Sequence, residues 1–97
     1  MRKVTWSKES EYDFDDNIEY LIRKWTEKEA QNFIDKVNEI VDILEKGNAE
    51  FKKTDYKDLR AVTVTNQIIL LYRTKSKKEV EIVRFWNTYQ DPKKLKD

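Results

Sequence analysis

Three arginines, Arg60, Arg73 and Arg84, stand in the second half of a chain that contains neither histidine nor cysteine. A guanidinium keeps its charge at any physiological pH and presents paired donors, so three of them folded together would bind phosphate or a partner carboxylate. Tyr72 and Tyr89 lie close to them in sequence. Neighbouring cations make a phenol more acidic, and such a tyrosine could pass a proton while arginines hold the charge that builds on a phosphate. The competing reading is three unconnected surface arginines paired with Glu79, Glu81 or Asp58, because strand parity alone does not fix faces across a hairpin. The missing His and Cys remove the usual general base, thiol nucleophiles, disulfides and the commonest zinc ligands. Any catalysis must run on Asp, Glu, Lys, Arg, Tyr, Ser or Thr.

Other chemistry-bearing residues have a functional reading and a plainer one. Tyr89 beside Trp86 offers aromatic surface for base stacking, or Trp86 packs the sheet while Tyr89 covers an edge. Asp13, Asp15, Asp16 and Glu19 could hold a divalent ion, but they spread around a helix whose positive end favours anions. Lys52, Lys53 and Lys57 with Tyr56 could meet nucleic acid or an acidic segment, or be a solvated run.

Charge is distributed unevenly. The net charge is +1, yet residues 1–50 hold 8 Lys and Arg against 13 Asp and Glu while residues 51–97 hold 12 against 6. The halves are thus −5 and +6, acidic in front and basic behind, which points to an anionic partner for the second half. Twelve aromatic residues, Trp6, Trp25 and Trp86 among them, argue against disorder, and one Gly and one Pro favour long regular elements. A chain of 97 residues is expected to form a single domain, residues 1–97. The longest apolar run, Ile68 to Tyr72, falls far short of the roughly 20 residues of a membrane helix, and no apolar signal segment follows the first residues. The expectation is a soluble cytoplasmic protein without membrane association.

The elements that must position these residues follow from periodicity. Residues 3–6 alternate as a short strand. Ser7 or Ser10 can cap a helix over Glu11 to Trp25, whose apolar residues Tyr12, Phe14, Ile18, Leu21, Ile22 and Trp25 fall mostly three and four apart. Thr26-Glu27-Lys28-Glu29 is a capping box that opens a second helix. Its stripe is Ala30, Phe33, Ile34, Val37, Ile40, Val41 and Leu44, and Gly47 ends it. Leu59–Val64 and Ile68–Arg73 form a hairpin about Thr65-Asn66-Gln67, and Glu79–Trp86 adds a strand after the charged turn Lys75-Ser76-Lys77-Lys78. Strict alternation places Val80, Ile82, Arg84 and Trp86 on one face of that last strand. Ile68–Tyr72, apolar on both faces, should be central. The predicted fold is α+β in the order β-α-α-β-β-β, an N-terminal helical hairpin packed on an antiparallel sheet.

Size, element order, the opening Asp58-Leu59-Arg60, the central Leu70-Leu71-Tyr72-Arg73 and the closing Phe85-Trp86-Asn87-Thr88-Tyr89-Gln90-Asp91-Pro92-Lys93-Lys94-Leu95 together resemble the RelE/ParE superfamily of bacterial toxins. The resemblance implies a toxin of a type II toxin-antitoxin system, held inactive by a cognate antitoxin protein, with no cofactor and no metal. RelE-type members cleave mRNA on the ribosome, with Lys and Arg on the sheet and a C-terminal Tyr; ParE-type members poison DNA gyrase. Aligned on the central strand, Arg60 keeps a basic position of the nuclease members, whereas Val62, Ile69, Tyr89 and Leu95 replace the other four. With its long helical hairpin, the chain looks nearer the ParE branch. The resemblance therefore implies growth inhibition by binding gyrase, with a metal-independent endoribonuclease using Arg60, Arg73, Arg84 and Tyr89 on the ribosome and mRNA as the alternative, and a non-toxic binding module as the third reading.

Overall fold

The computed structural model describes residues 1–47, 50–56 and 58–88. The elements are β1 (Lys3–Trp6), α1 (Lys8–Lys24), α2 (Glu27–Lys46), β2 (Lys52–Lys53), β3 (Leu59–Thr63), β4 (Ile68–Ser76) and β5 (Glu79–Asn87). The expected helical hairpin on a sheet is present, and the sheet has five strands in the order β1-β5-β4-β3-β2. It is mixed: β2 to β5 are antiparallel to their neighbours, while β1 runs parallel to β5 with Lys3 opposite Glu79 and Trp6 opposite Ile82. β4 is the central strand, as its two apolar faces require.

The second helix forms as its sequence dictates. Thr26 Oγ1 accepts from the Glu29 N–H at 3.1 Å, and Gly47 closes the helix in the left-handed region at φ +68°. Ala30, Phe33, Val37, Ile40 and Leu44 are buried, with Ile34 and Val41 half-buried beside them. Thr26→Ala removes an acceptor from an exposed first turn and is expected to cost about 1 kcal/mol, read as a lower midpoint at unchanged slope in urea unfolding.

The first helix departs from the pattern expected of it. It starts at Lys8, because Ser7 is the N-cap and accepts from the Ser10 N–H at 3.0 Å, and it ends before Trp25. Tyr12, Ile22 and Trp25, which helical spacing places on the core stripe, are instead 62 %, 49 % and 52 % exposed. The buried face instead runs through Ser10, Asn17 and Leu21, with Phe14 half-buried on it. Two polar residues hold core positions there because the sheet beneath α1 offers unpaired backbone. β1 ends opposite Ile82, so the rest of β5 has an open edge, and α1 lies along it. Ser7 N–H donates to Ile82 O at 2.9 Å and Ser7 Oγ to Val83 O at 2.7 Å. Asp13 accepts from Phe85 N–H at 3.0 Å, and Asn17 donates to Phe85 O at 3.4 Å and accepts from Asn87 at 3.0 Å. The helix thus substitutes side chains for a missing strand, which a buried edge demands.

A β-bulge in β5 overturns the simple alternation. Tyr72 pairs with Ile82 but its neighbour Leu71 pairs with Arg84, leaving Val83 as an extra residue. Val80, Ile82 and Phe85 consequently share the helix-facing core with Val62, Ile68, Leu70 and Tyr72. Arg84 and Trp86 therefore point away from the face that holds Val80 and Ile82, opposite to what strict alternation places there. At the centre of the core, Phe85 meets the rings of Trp6, Phe14 and Phe33.

Candidate functional site

The pairing register decides where the arginines stand, because residues directly opposite one another in a sheet share a face. Three rows cross the face turned from the helices: Thr63, Ile69 and Trp86; Ala61, Leu71 and Arg84; Leu59, Arg73 and Glu81. Arg73 and Arg84 therefore lie on one surface in adjacent rows. Arg60 pairs with Tyr72 and belongs to the opposite face. It is held at the rim of the core, donating to Phe51 O at 2.7 Å with Glu50 3.8 Å away.

Each arginine has its own acidic neighbour. Arg84 donates to both carboxylate oxygens of Asp13, at 2.6 and 3.0 Å, and lies 5.9 Å from the centre of the Trp86 ring. Such a bidentate pair fixes the guanidinium plane as well as its charge. The Asp13 hydrogen bonds raise the Arg84 pKa further above its ordinary value, against a smaller opposing effect of burial. Arg73 stands 3.7 Å from Glu81. The set does not converge on one point, and the reading of separately paired arginines describes it, with Glu81 as one of the expected partners and Asp13 and Glu50 as unexpected ones.

The tyrosines divide differently. Tyr72 is buried in the helix-facing core, where its hydroxyl accepts from Phe51 N–H at 3.2 Å, so it is on the wrong side of the sheet to act with Arg73 or Arg84. Tyr89, like Lys57 and the closing run beyond Thr88, lies outside the described residues. Lys52 and Lys53 form the exposed edge strand β2. Of the acidic set on α1, Asp13 is taken up by Arg84 and the Phe85 N–H, and among the described residues no group of three acidic side chains could hold a metal ion.

The surface between the arginines is apolar. Leu71 and Trp86 are buried and Ile69 and Ala61 half-buried, giving a floor of aliphatic and aromatic side chains bordered by two guanidinium groups. Trp86 Nε1 and Arg73 Nε are buried donors without a hydrogen-bond acceptor among the described residues. Both atoms are shielded from solvent, and Arg73 Nε has Glu81 Oε1 at 3.7 Å, so neither is an open contact point on this face. The chemistry this face can do is recognition: apolar contact bordered by planar charge.

Asn17 is not announced by residue type, and Asp13, read among the acidic residues of the first helix, is the partner of Arg84 and the Phe85 N–H rather than a metal ligand. The signal for Asp13 and Asn17 is positional, polar residues at the core spacing of an amphipathic helix, four residues apart and in line with Ser10 and Leu21.

Comparison with known proteins agrees with this architecture. No curated protein sequence matches the chain. Among solved structures, the chain is similar to a chromosomal ParDE system of P. aeruginosa, with a TM-score of 0.72 and 18 % identity over 90 % of this chain and 96 % of that one. It is similar to the DinJ-YafQ complex of E. coli, with a TM-score of 0.62 and 13 % identity over 94 % and 98 %. A YoeB/ParE toxin of Agrobacterium tumefaciens aligns with a TM-score of 0.57 and 18 % identity over 90 % and 98 %. At these identities the structures establish a shared fold. The sequence itself matches the family described as ParE toxin of type II toxin-antitoxin system, parDE, over residues 4–92. With nearly the whole chain matched, this protein belongs to the ParE toxin family of type II toxin-antitoxin systems.

Proposed function

We propose that the protein arrests growth by binding DNA gyrase and that a cognate antitoxin neutralises it. One observation carries the choice of a binding mechanism: Arg60, Arg73 and Arg84 are dispersed over two faces and each stands beside a different carboxylate. A phosphodiester cleavage site needs cations gathered where charge develops and a group placed to move the proton. Arg84 is already committed to Asp13, and of the two candidate tyrosines Tyr72 faces the core while Tyr89 lies outside the described residues. The apolar floor bordered by Arg73 and Arg84 is the kind of surface that a macromolecular partner covers. A cognate antitoxin follows from the toxin family and from the toxin-antitoxin complexes among the solved relatives.

The test is direct. Purified toxin added to gyrase and relaxed plasmid should stop supercoiling and accumulate cleaved DNA, and prior addition of the antitoxin should restore supercoiling. Intact supercoiling at saturating toxin, together with mRNA cut in the ribosomal A site on toeprinting, would replace gyrase with the ribosome as target. Undisturbed growth on induced expression without antitoxin would leave a binding module that is not toxic.

A further inference from the structure

At the end of the sheet where β4 turns into β5, a hollow of about 720 Å³ is bordered by Arg2, Lys46, Lys77 and Lys78, with Glu50 as a carboxylate on its lining. These four cations come from three separate segments, and the backbone brings them together. Arg2 N–H donates to Glu45 O at 2.7 Å, and Arg2 Nε to Leu44 O at 2.9 Å, so the side chain lies along the C-terminal end of α2. A cation is favoured there by the helix dipole. Gly47 leaves the space: a Cβ at that position would stand 3.1 Å from Arg2 Nε. Lys3 N–H donates to Lys78 O at 2.7 Å and Lys78 N–H to Ser76 Oγ at 3.1 Å, which fixes the turn to β1.

Their charges are mostly unspent. Among the described residues the two terminal nitrogens of Arg2 make no hydrogen bond, and neither Lys77 nor Lys78 forms an ion pair; Lys46 stands 3.1 Å from Asp42. Glu50, the opposing carboxylate, is shared with Arg60 at 3.8 Å. We propose that this cationic hollow binds the phosphate backbone of nucleic acid. Lysine ammonium groups are point charges without a strict geometric demand, which suits the spaced phosphates of a backbone. An acidic peptide fits less well: stable protein partners are anchored by large apolar or aromatic side chains in pockets, and apart from Met1 the lining carries none. The inference goes beyond gyrase as target, since neither gyrase nor ribosome is needed to observe it.

Fluorescence anisotropy with a labelled 20-bp duplex tests it on the purified full-length toxin. Lys77→Gln with Lys78→Gln should weaken binding at least tenfold at low salt and reduce the slope of log affinity against log salt by about 2, as expected for two lost phosphate contacts. Lys46→Gln should act in the same direction, with a slope change of about 1. Lys52→Gln with Lys53→Gln removes equal charge from the exposed strand β2 and should change affinity less than twofold. Far-UV circular dichroism of each variant checks the fold. Equal losses from both lysine pairs would reduce the effect to net charge and overturn the site. No duplex binding at low salt would overturn it too, as would displacement of the duplex from wild-type protein by a poly-glutamate peptide at equal charge concentration, which would assign the hollow to an acidic protein partner.

Discussion

Phe85→Ala should remove about 4 kcal/mol from the unfolding free energy, the largest loss expected from any single side chain. Phe85 is only 2 % exposed. Its ring lies 5.2 Å from that of Trp6, 5.7 Å from Phe14 and 6.0 Å from Phe33, joining β5 to β1, α1 and α2 at one point. Truncation takes away the transfer free energy of the ring and leaves a cavity that three elements must close at once. Domains of this size are stable by about 5–15 kcal/mol, so the variant should be close to unfolding at growth temperature. Urea titration followed by tryptophan fluorescence measures it directly. A loss below about 2 kcal/mol would show that the core is not centred on this ring.

Asp13→Ala should rank next, at about 2 kcal/mol. The substitution strands two donors, the Arg84 guanidinium and the Phe85 N–H. Breaking a fully buried pair costs more, roughly 3–5 kcal/mol, but the Arg84 side chain is 38 % exposed and water recovers part of the loss. Asp13→Asn keeps an acceptor for the Phe85 N–H and should cost about half as much. A double-mutant cycle with Arg84→Met isolates the ionic part, for which a coupling near 1 kcal/mol is expected. If Asp13→Ala alone left the urea midpoint unchanged, the edge of β5 would have to be satisfied by water rather than by α1.

These two residues also show what could be read before folding. α2 was legible to its caps because its buried positions are all apolar and Thr26 and Gly47 mark its ends. α1 was not, since Asn17 and Ser10 look like surface residues until an open strand edge lies beneath them. Tyr12, Ile22 and Trp25 gave the opposite false signal, large apolar groups at helical spacing that the sheet never covers. The bulge at Val83 was invisible for another reason: it inserts a residue with no Gly or Pro to announce it, and it reverses the face of everything after it. At the candidate site, residue type identified Arg73 and Arg84 as chemically capable, but their shared face depends on register between strands, and Arg60 fell on the other side for the same reason. Nothing local announces the parallel pairing of β1 with β5 either, because the two strands are separated by the entire domain.

That last pairing sets the order in which the toxin can come into being. β1 is made before the other described elements, and its strand neighbour among the described residues, β5, is the last of them. The helical hairpin can condense early through local contacts, whereas closing the sheet must wait for a segment more than 70 residues downstream, Lys3 against Glu79 and Trp6 against Ile82. An incomplete nascent chain therefore has no fifth strand, no bulge and no Phe85 at its centre. Chains that stall before β5 lack the assembled surface of Arg73, Arg84 and Trp86, so a cell making this protein meets its folded form only after translation has passed β5.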